Sequence, residues 1–161
     1  MSVDWEVEIV ECGDIVQDED DTIPRVEAER RWNHYVELAD SVTGDEGPEG
    51  VAAIVSSLRV QYDYGAYQSA YGALERFPPA DLGKGIILAA NELTRIPHDQ
   101  SGDVILTLVR SPAGAAEAFN EVIKSFPGDV RNRIRDIVDF HESDEWLVED
   151  EDKGIIKVPR E

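Results

Sequence analysis

The 161-residue chain has a single cysteine, Cys12, and only three histidines, His34, His98 and His141. One thiol excludes an internal disulfide, and no Cys/His spacing forms a zinc motif. Lysine is scarce, with four Lys beside eleven Arg. No run of 18 apolar residues occurs, so no transmembrane helix is expected. The first residues carry no basic segment ahead of an apolar run, so no signal peptide is expected either, and the expected location is cytoplasmic. Nucleotide-loop, H-E-x-x-H and G-x-S-x-G patterns are all missing. Gly83-Lys84-Gly85 lacks the Ser or Thr a phosphate loop needs, and it reads as small-residue packing on a helix.

What the chain does have is acid: 35 Asp and Glu against 15 Lys and Arg, a net charge of −20. Residues 1–21 contain nine acids and no Lys or Arg, whereas the final twenty residues hold eight acids and three bases. The ends therefore carry most of the charge. Such a surface repels phosphates and anionic membranes, which argues against nucleic-acid or membrane partners and for a basic protein partner. Adaptation to high salt is an alternative source of the same composition.

The length fits one domain spanning 1–161, divided into an acidic N-terminal segment (1–21), a helical core (22–141) and an acidic C-terminal segment (142–161). Alternation of Val3, Trp5, Val7 and Ile9 with acids predicts a strand. Thr22 offers a cap for a helix from about Pro24 to Ser41. Apolar residues at helical spacing then predict helices over 50–60, 63–77, 79–96, 101–110, 112–126 and 127–141.

Pro78, Pro97, Pro112 and Pro127 fall at the junctions between these segments. Proline is costly inside a helix and tolerated in its first turn, so each marks a start, with Ser111 a candidate cap. The six segments pair as three antiparallel hairpins: 50–60 with 63–77, 79–96 with 101–110, and 112–126 with 127–141. The expected fold is mainly α, stacked antiparallel α-hairpins in a short solenoid, with an irregular helical bundle as the alternative. The C-terminal stretch 145–158 reads as strand, turn, strand and, with the N-terminal strand, can form a small terminal sheet; acidic disordered tails are the rival reading.

No cluster announces catalysis. His98-Asp99 at a helix junction suits capping, and His34 and His141 suit partial burial. Asp150, Asp152 and Gly154 superficially match the opening of a calcium loop but lack the ligands that should follow. No metal and no cofactor are expected. Four of the five tyrosines lie between 62 and 71. Tyr67 and Tyr71 suit the core, whereas Tyr62 and Tyr64 suit a contact surface, since a ring with a hydroxyl serves interfaces well.

Residues 50–141, punctuated as Leu74-Glu75-Arg76-Phe77-Pro78 and Ile123-Lys124-Ser125-Phe126-Pro127, resemble the degenerate HEAT-like repeats of small bacterial proteins. Among these are immunity proteins of polymorphic-toxin and contact-dependent inhibition systems. The resemblance implies a non-enzymatic protein that binds and neutralises a basic toxin. The residues expected at the contact are Tyr62, Asp63, Tyr64, Glu75, Glu92, Asp99 and Asp103. A helical-repeat scaffold without a toxin partner is the alternative, and a metal-dependent hydrolase is a third class.

Overall fold

A computed structural model describes residues 3–144, 149 and 151–159. The elements are α1 (Val3–Cys12), α2 (Arg25–Asp40), α3 (Gly47–Ser56), α4 (Tyr67–Leu74), α5 (Pro79–Leu88), α6 (Ala90–Leu93), α7 (His98–Val109), α8 (Ala115–Val122) with a 3₁₀ turn at Ile123–Ser125, and α9 (Gly128–Asp144). The protein is mainly helical, and no strand occurs among the described residues.

The largest correction is at the N-terminus, where the expected strand is helix α1. The alternating pattern also contains an i, i+4 pair, Trp5 and Ile9, and these are the residues buried, while Val7 is exposed. A lone strand has no partner for its backbone groups, whereas a helix satisfies them internally. The Trp5 indole donates to the Leu38 carbonyl at 3.2 Å and ties α1 to α2. At the other end, residues 145–148 and 150 of the expected hairpin lie outside the described residues. Ile155–Val158, expected as its second strand, forms no strand.

That C-terminal segment is a strap. Asn120 donates to the Ile155 carbonyl at 2.9 Å and accepts from the Lys157 amide at 2.8 Å. Between these bonds Ile156 enters the core. Asp152, part of the calcium-like pattern, is instead a buried ion-pair partner of Arg110, at 2.8 and 3.4 Å.

The prolines mark starts, with a shift in detail. Pro24, Pro78 and Pro97 are N-cap residues in extended conformation, and Pro127 directly precedes α9. Pro112 sits in a turn three residues ahead of α8, whose N-cap is the left-handed Gly114. Ser111 and Thr22 therefore do not cap; Thr22 bonds Asp20 within its own turn. The 79–96 segment divides at Ala89 into α5 and α6.

Packing follows alternate helices more than adjacent ones. α1, α3, α5 and α8 form one row, with α3 against α5 and α5 against α8 the most extensive contacts. A looser second row has α2 packed on α4, with light contacts from α4 to α7 and from α7 to α9, and α6 packs on α9. Of the expected hairpin partners, α3 and α4, and α5 and α7, touch only lightly, and α8 and α9 touch less still. The reason lies in Gly83-Lys84-Gly85, which is indeed small-residue packing. A Cβ at Gly83 would stand 2.8 Å from the Phe119 amide nitrogen on α8, and one at Gly85 would stand 2.6 Å from the Pro48 carbonyl on α3. Two residues apart, the glycines face opposite sides of α5 and let both neighbours approach its backbone.

Between the rows lie Ile54, Leu74, Ile86, Ile105 and Phe119, all fully buried. Tyr35 and Tyr67 meet edge to face with centroids 5.6 Å apart. Their hydroxyls bond Ser57 Oγ at 2.7 Å and the Gly13 carbonyl at 2.6 Å, so neither ring leaves a polar atom stranded. Burial pushes both phenols up, as expected where the charged form would lose its water.

Candidate functional site

The loop between α3 and α4 positions the first three expected contact residues. Its carbonyl at Tyr62 accepts from Gln17 Nε2 at 3.0 Å, and that at Tyr64 accepts from the Trp32 indole at 3.2 Å. The Tyr64 hydroxyl accepts from the Asp18 amide at 3.0 Å. These bonds hold Tyr64 at φ +51°, the one non-glycine residue in the left-handed region among those described. Tyr64 therefore lies outside α4, although its spacing from Tyr67 is helical. Both rings remain accessible, Tyr62 at 65% and Tyr64 at 44%.

Asp63, between them, turns inward. Its carboxylate accepts from the Tyr67 amide at 2.7 Å and satisfies a free N–H at the start of α4. On α7, Asp99 and Asp103 lie one turn apart. Asp99 accepts a hydrogen bond from Gln61 of the loop. Gln100, buried between them, donates to the Val60 carbonyl at 3.2 Å and accepts from the Tyr71 hydroxyl at 2.6 Å. Loop, α4 and α7 are thereby fastened together, and three expected acids share one region.

Electrostatics register that proximity. The Asp103 carboxyl is held above the usual range by burial first, then by the charges of Asp99 and Asp63. The Tyr71 phenol is pushed up chiefly by burial and next by Asp103. Thr107 bonds only the Asp103 backbone, at 2.8 Å, and no cation pairs with the Asp103 carboxylate among the described residues.

A groove of about 690 Å³ opens beside Asp103, with Tyr71, Glu75, Leu82 and Leu106 among its walls. Glu75, one turn after Tyr71, is exposed at its edge. Glu92 lies elsewhere, on α6, where it pairs with Arg95 at 3.2 Å. Six expected residues thus fall along the α3–α4 loop, α4 and α7, and the seventh does not join them.

Two further places emerge only from the fold. A groove of about 930 Å³ runs between the acidic loop and α2, lined by Asp18, Asp21, Ile23, Trp32 and Tyr64. A smaller cleft of about 260 Å³ carries His98, Ser101, Phe140 and His141. There Ser101 Oγ and His141 Nε2 are 3.0 Å apart, and the hydroxyl also donates to the His98 carbonyl at 3.1 Å. His141 Nδ1 is buried without a hydrogen-bond partner, so no third group orients the imidazole as a catalytic base would require. His98 itself is the first residue of α7, stacked near Phe140, and does not cap the helix.

Of the residues not expected at the contact, Tyr71, expected in the core, Gln100 and Trp32 matter most. Gln100 carried a signal, an amide inside an apolar helical stripe. Trp32 carried none beyond its size. Among the described residues no group of three His, Cys, Asp or Glu could hold a metal ion, and no helix is long and apolar enough to cross a membrane. Comparison with known proteins finds no matching family model, no significantly similar curated protein and no significantly similar solved structure.

Proposed function

We propose that this chain is an immunity-like protein that binds and neutralises a basic cognate toxin through an acidic, tyrosine-bearing surface on the α3–α4 loop, α4 and α7. The observation that carries the reading is the gathering of Asp63, Asp99 and Asp103 at one place, with Asp103 partly buried and uncompensated. A carboxylate held in that way costs the free protein stability, and a partner's cation relieves the cost on binding. Tyr62 and Tyr64 flank the acids with exposed rings, the residue type enriched at interfaces. The packing of α1 on α3, α3 on α5 and α5 on α8, with α2 on α4 beside it, supports the HEAT-like part of the reading, because repeat stacks bury each helix against its counterpart in the next unit.

Net charge of −20 would steer a basic partner over long range, so association should be fast and strongly salt-dependent. The test is co-expression with basic toxin domains encoded beside this chain's reading frame. Growth protection with a co-purifying complex is expected, and protection should fall when Asp63, Asp99 and Asp103 are changed together to Asn. Protection without any complex, or a complex indifferent to both salt and those changes, would overturn the proposal. A salt-resistant complex with a non-toxic partner would point to a scaffold.

A further inference from the structure

The acidic cluster alone does not say what kind of side chain it receives. The groove next to it does. Tyr71, Phe77, Leu82 and Leu106 give it apolar walls, and Asp103 and Glu75 also line it, neither of them in an ion pair among the described residues. The one resident cation, Arg110, is committed to Asp152 at 2.8 Å. The larger groove at Trp32 is less well suited, since Asp20 already accepts from Thr22 at 2.9 Å and Glu29 already pairs with Arg25 at 3.1 Å.

We propose that the groove between α4, α7 and the 111–113 turn seats an arginine side chain of a basic protein partner, its stem against Tyr71 and Leu106 and its guanidinium shared by Asp103 and Glu75. This rests on the reading of the chain as a binder of a basic partner and adds the identity of the anchoring group. Arginine suits the place better than lysine because a guanidinium is planar, weakly hydrated and able to stack on a phenol face while its edge bonds carboxylates. Burying its stem along an apolar wall also spares desolvation of the charged head.

Occupation should deprotonate Asp103 fully, because an adjacent cation favours the charged carboxylate. Binding therefore tightens as pH rises through the elevated Asp103 titration, in the opposite sense to its effect on the empty protein.

The probe is acetyl-Leu-Arg-Leu-amide, titrated at low ionic strength into the full chain and followed by NMR. Saturable shifts at Tyr71, Leu106 and Thr107 are expected. The citrulline counterpart, of the same shape without charge, should bind about tenfold more weakly, the scale of one partly desolvated ion pair. Asp103→Asn should weaken the arginine peptide by a similar factor, and Glu75→Gln, at an exposed position, gives a second variant that leaves the fold intact. Equal binding of the citrulline peptide, shifts centred on Trp32, linear shifts across all acidic surfaces, or no shifts would each overturn the arginine site. Loss of the site with toxin protection retained would refute this inference alone, whereas loss of protection with the site retained would refute the immunity-like reading.

Discussion

His141 shows how one side chain ties stability to pH. The Ser101 hydroxyl spends its proton on the His98 carbonyl, which assigns the Nε2 proton of His141 to the bond between them and leaves Nδ1 as a buried bare lone pair. Protonating that nitrogen would bury an unpaired N–H and a charge together. The imidazole is accordingly held below its usual 6.5, by burial first and by His98 next, with Asp99 opposing. Below pH 6.5 the unfolded chain then binds the proton more readily than the folded one, so stability falls as pH drops from that value toward the lowered folded titration. Thermal melts at about pH 7.5 and pH 5.5 should show this loss, and His141→Gln should flatten the slope between them. An unchanged slope would mean that the cleft at α7 and α9 does not titrate. Asp103 works in the other direction: raised in the fold, it costs stability where it is ionised and ceases to do so in acid.

Among the elements, α5 is the one on which neighbours converge, and its glycines make that possible. Gly83→Ala would place a methyl 2.8 Å from the Phe119 amide nitrogen, a backbone atom that cannot swing aside. Overpacking of this kind costs about 2 kcal/mol even after the gain of about 1 kcal/mol that alanine brings to a helix. Gly72 on α4 provides the comparison, because a Cβ there meets nothing within 4 Å. Gly72→Ala should stabilise by about 0.5 to 1 kcal/mol. Urea midpoints moving in opposite directions for the two variants would support the packing described, and a neutral Gly83→Ala would contradict it.

The same element scale explains what could be read in advance. Helices α2, α3, α7 and α9 were legible because apolar stripes recur at helical spacing between proline or glycine breaks. The division of 79–96 was not, since Ala89 is a good helix former and only packing of α6 on α9 turns the chain there. Helix α1 was misread because Val and Ile alternation fits a strand as well as the Trp5/Ile9 stripe fits a helix, and the choice depends on whether another strand exists to pair with. At the candidate site, Asp63 and Glu75 on either side of α4 and Asp99 and Asp103 on α7 were legible as acids of a helical chain. Their convergence was not, because it requires α4 beside α7, a contact between helices three elements apart that no local pattern specifies. Glu92 illustrates the cost, being equally acidic yet placed on α6 with its own arginine.

For the whole molecule, charge is the dominant constraint. With a net −20 spread over a chain of 161 residues, like charges oppose the compact state. The few described ion pairs are mostly exposed and join residues three or four apart, Arg25 with Glu29 and Lys124 with Glu121 among them, and pairs of that kind contribute well under about 1 kcal/mol each. Screening should therefore help more than it harms. The melting temperature is expected to rise steadily as NaCl is increased from about 10 mM to about 0.5 M, a range over which the Debye length falls from about 30 Å to less than 10 Å. A flat or falling curve would show that attractive pairs outweigh the repulsion.

The two rows of helices have a consequence for how the chain is made. The most extensive packing, α3 on α5 and α5 on α8, together with α1 on α3, α2 on α4 and α6 on α9, joins helices two or three elements apart, so each of these pairs can close before the rest of the chain has emerged. Assembly can then keep pace with emergence from the ribosome. The strap, which follows α9, locks Ile156 and Asp152 onto helices made before it.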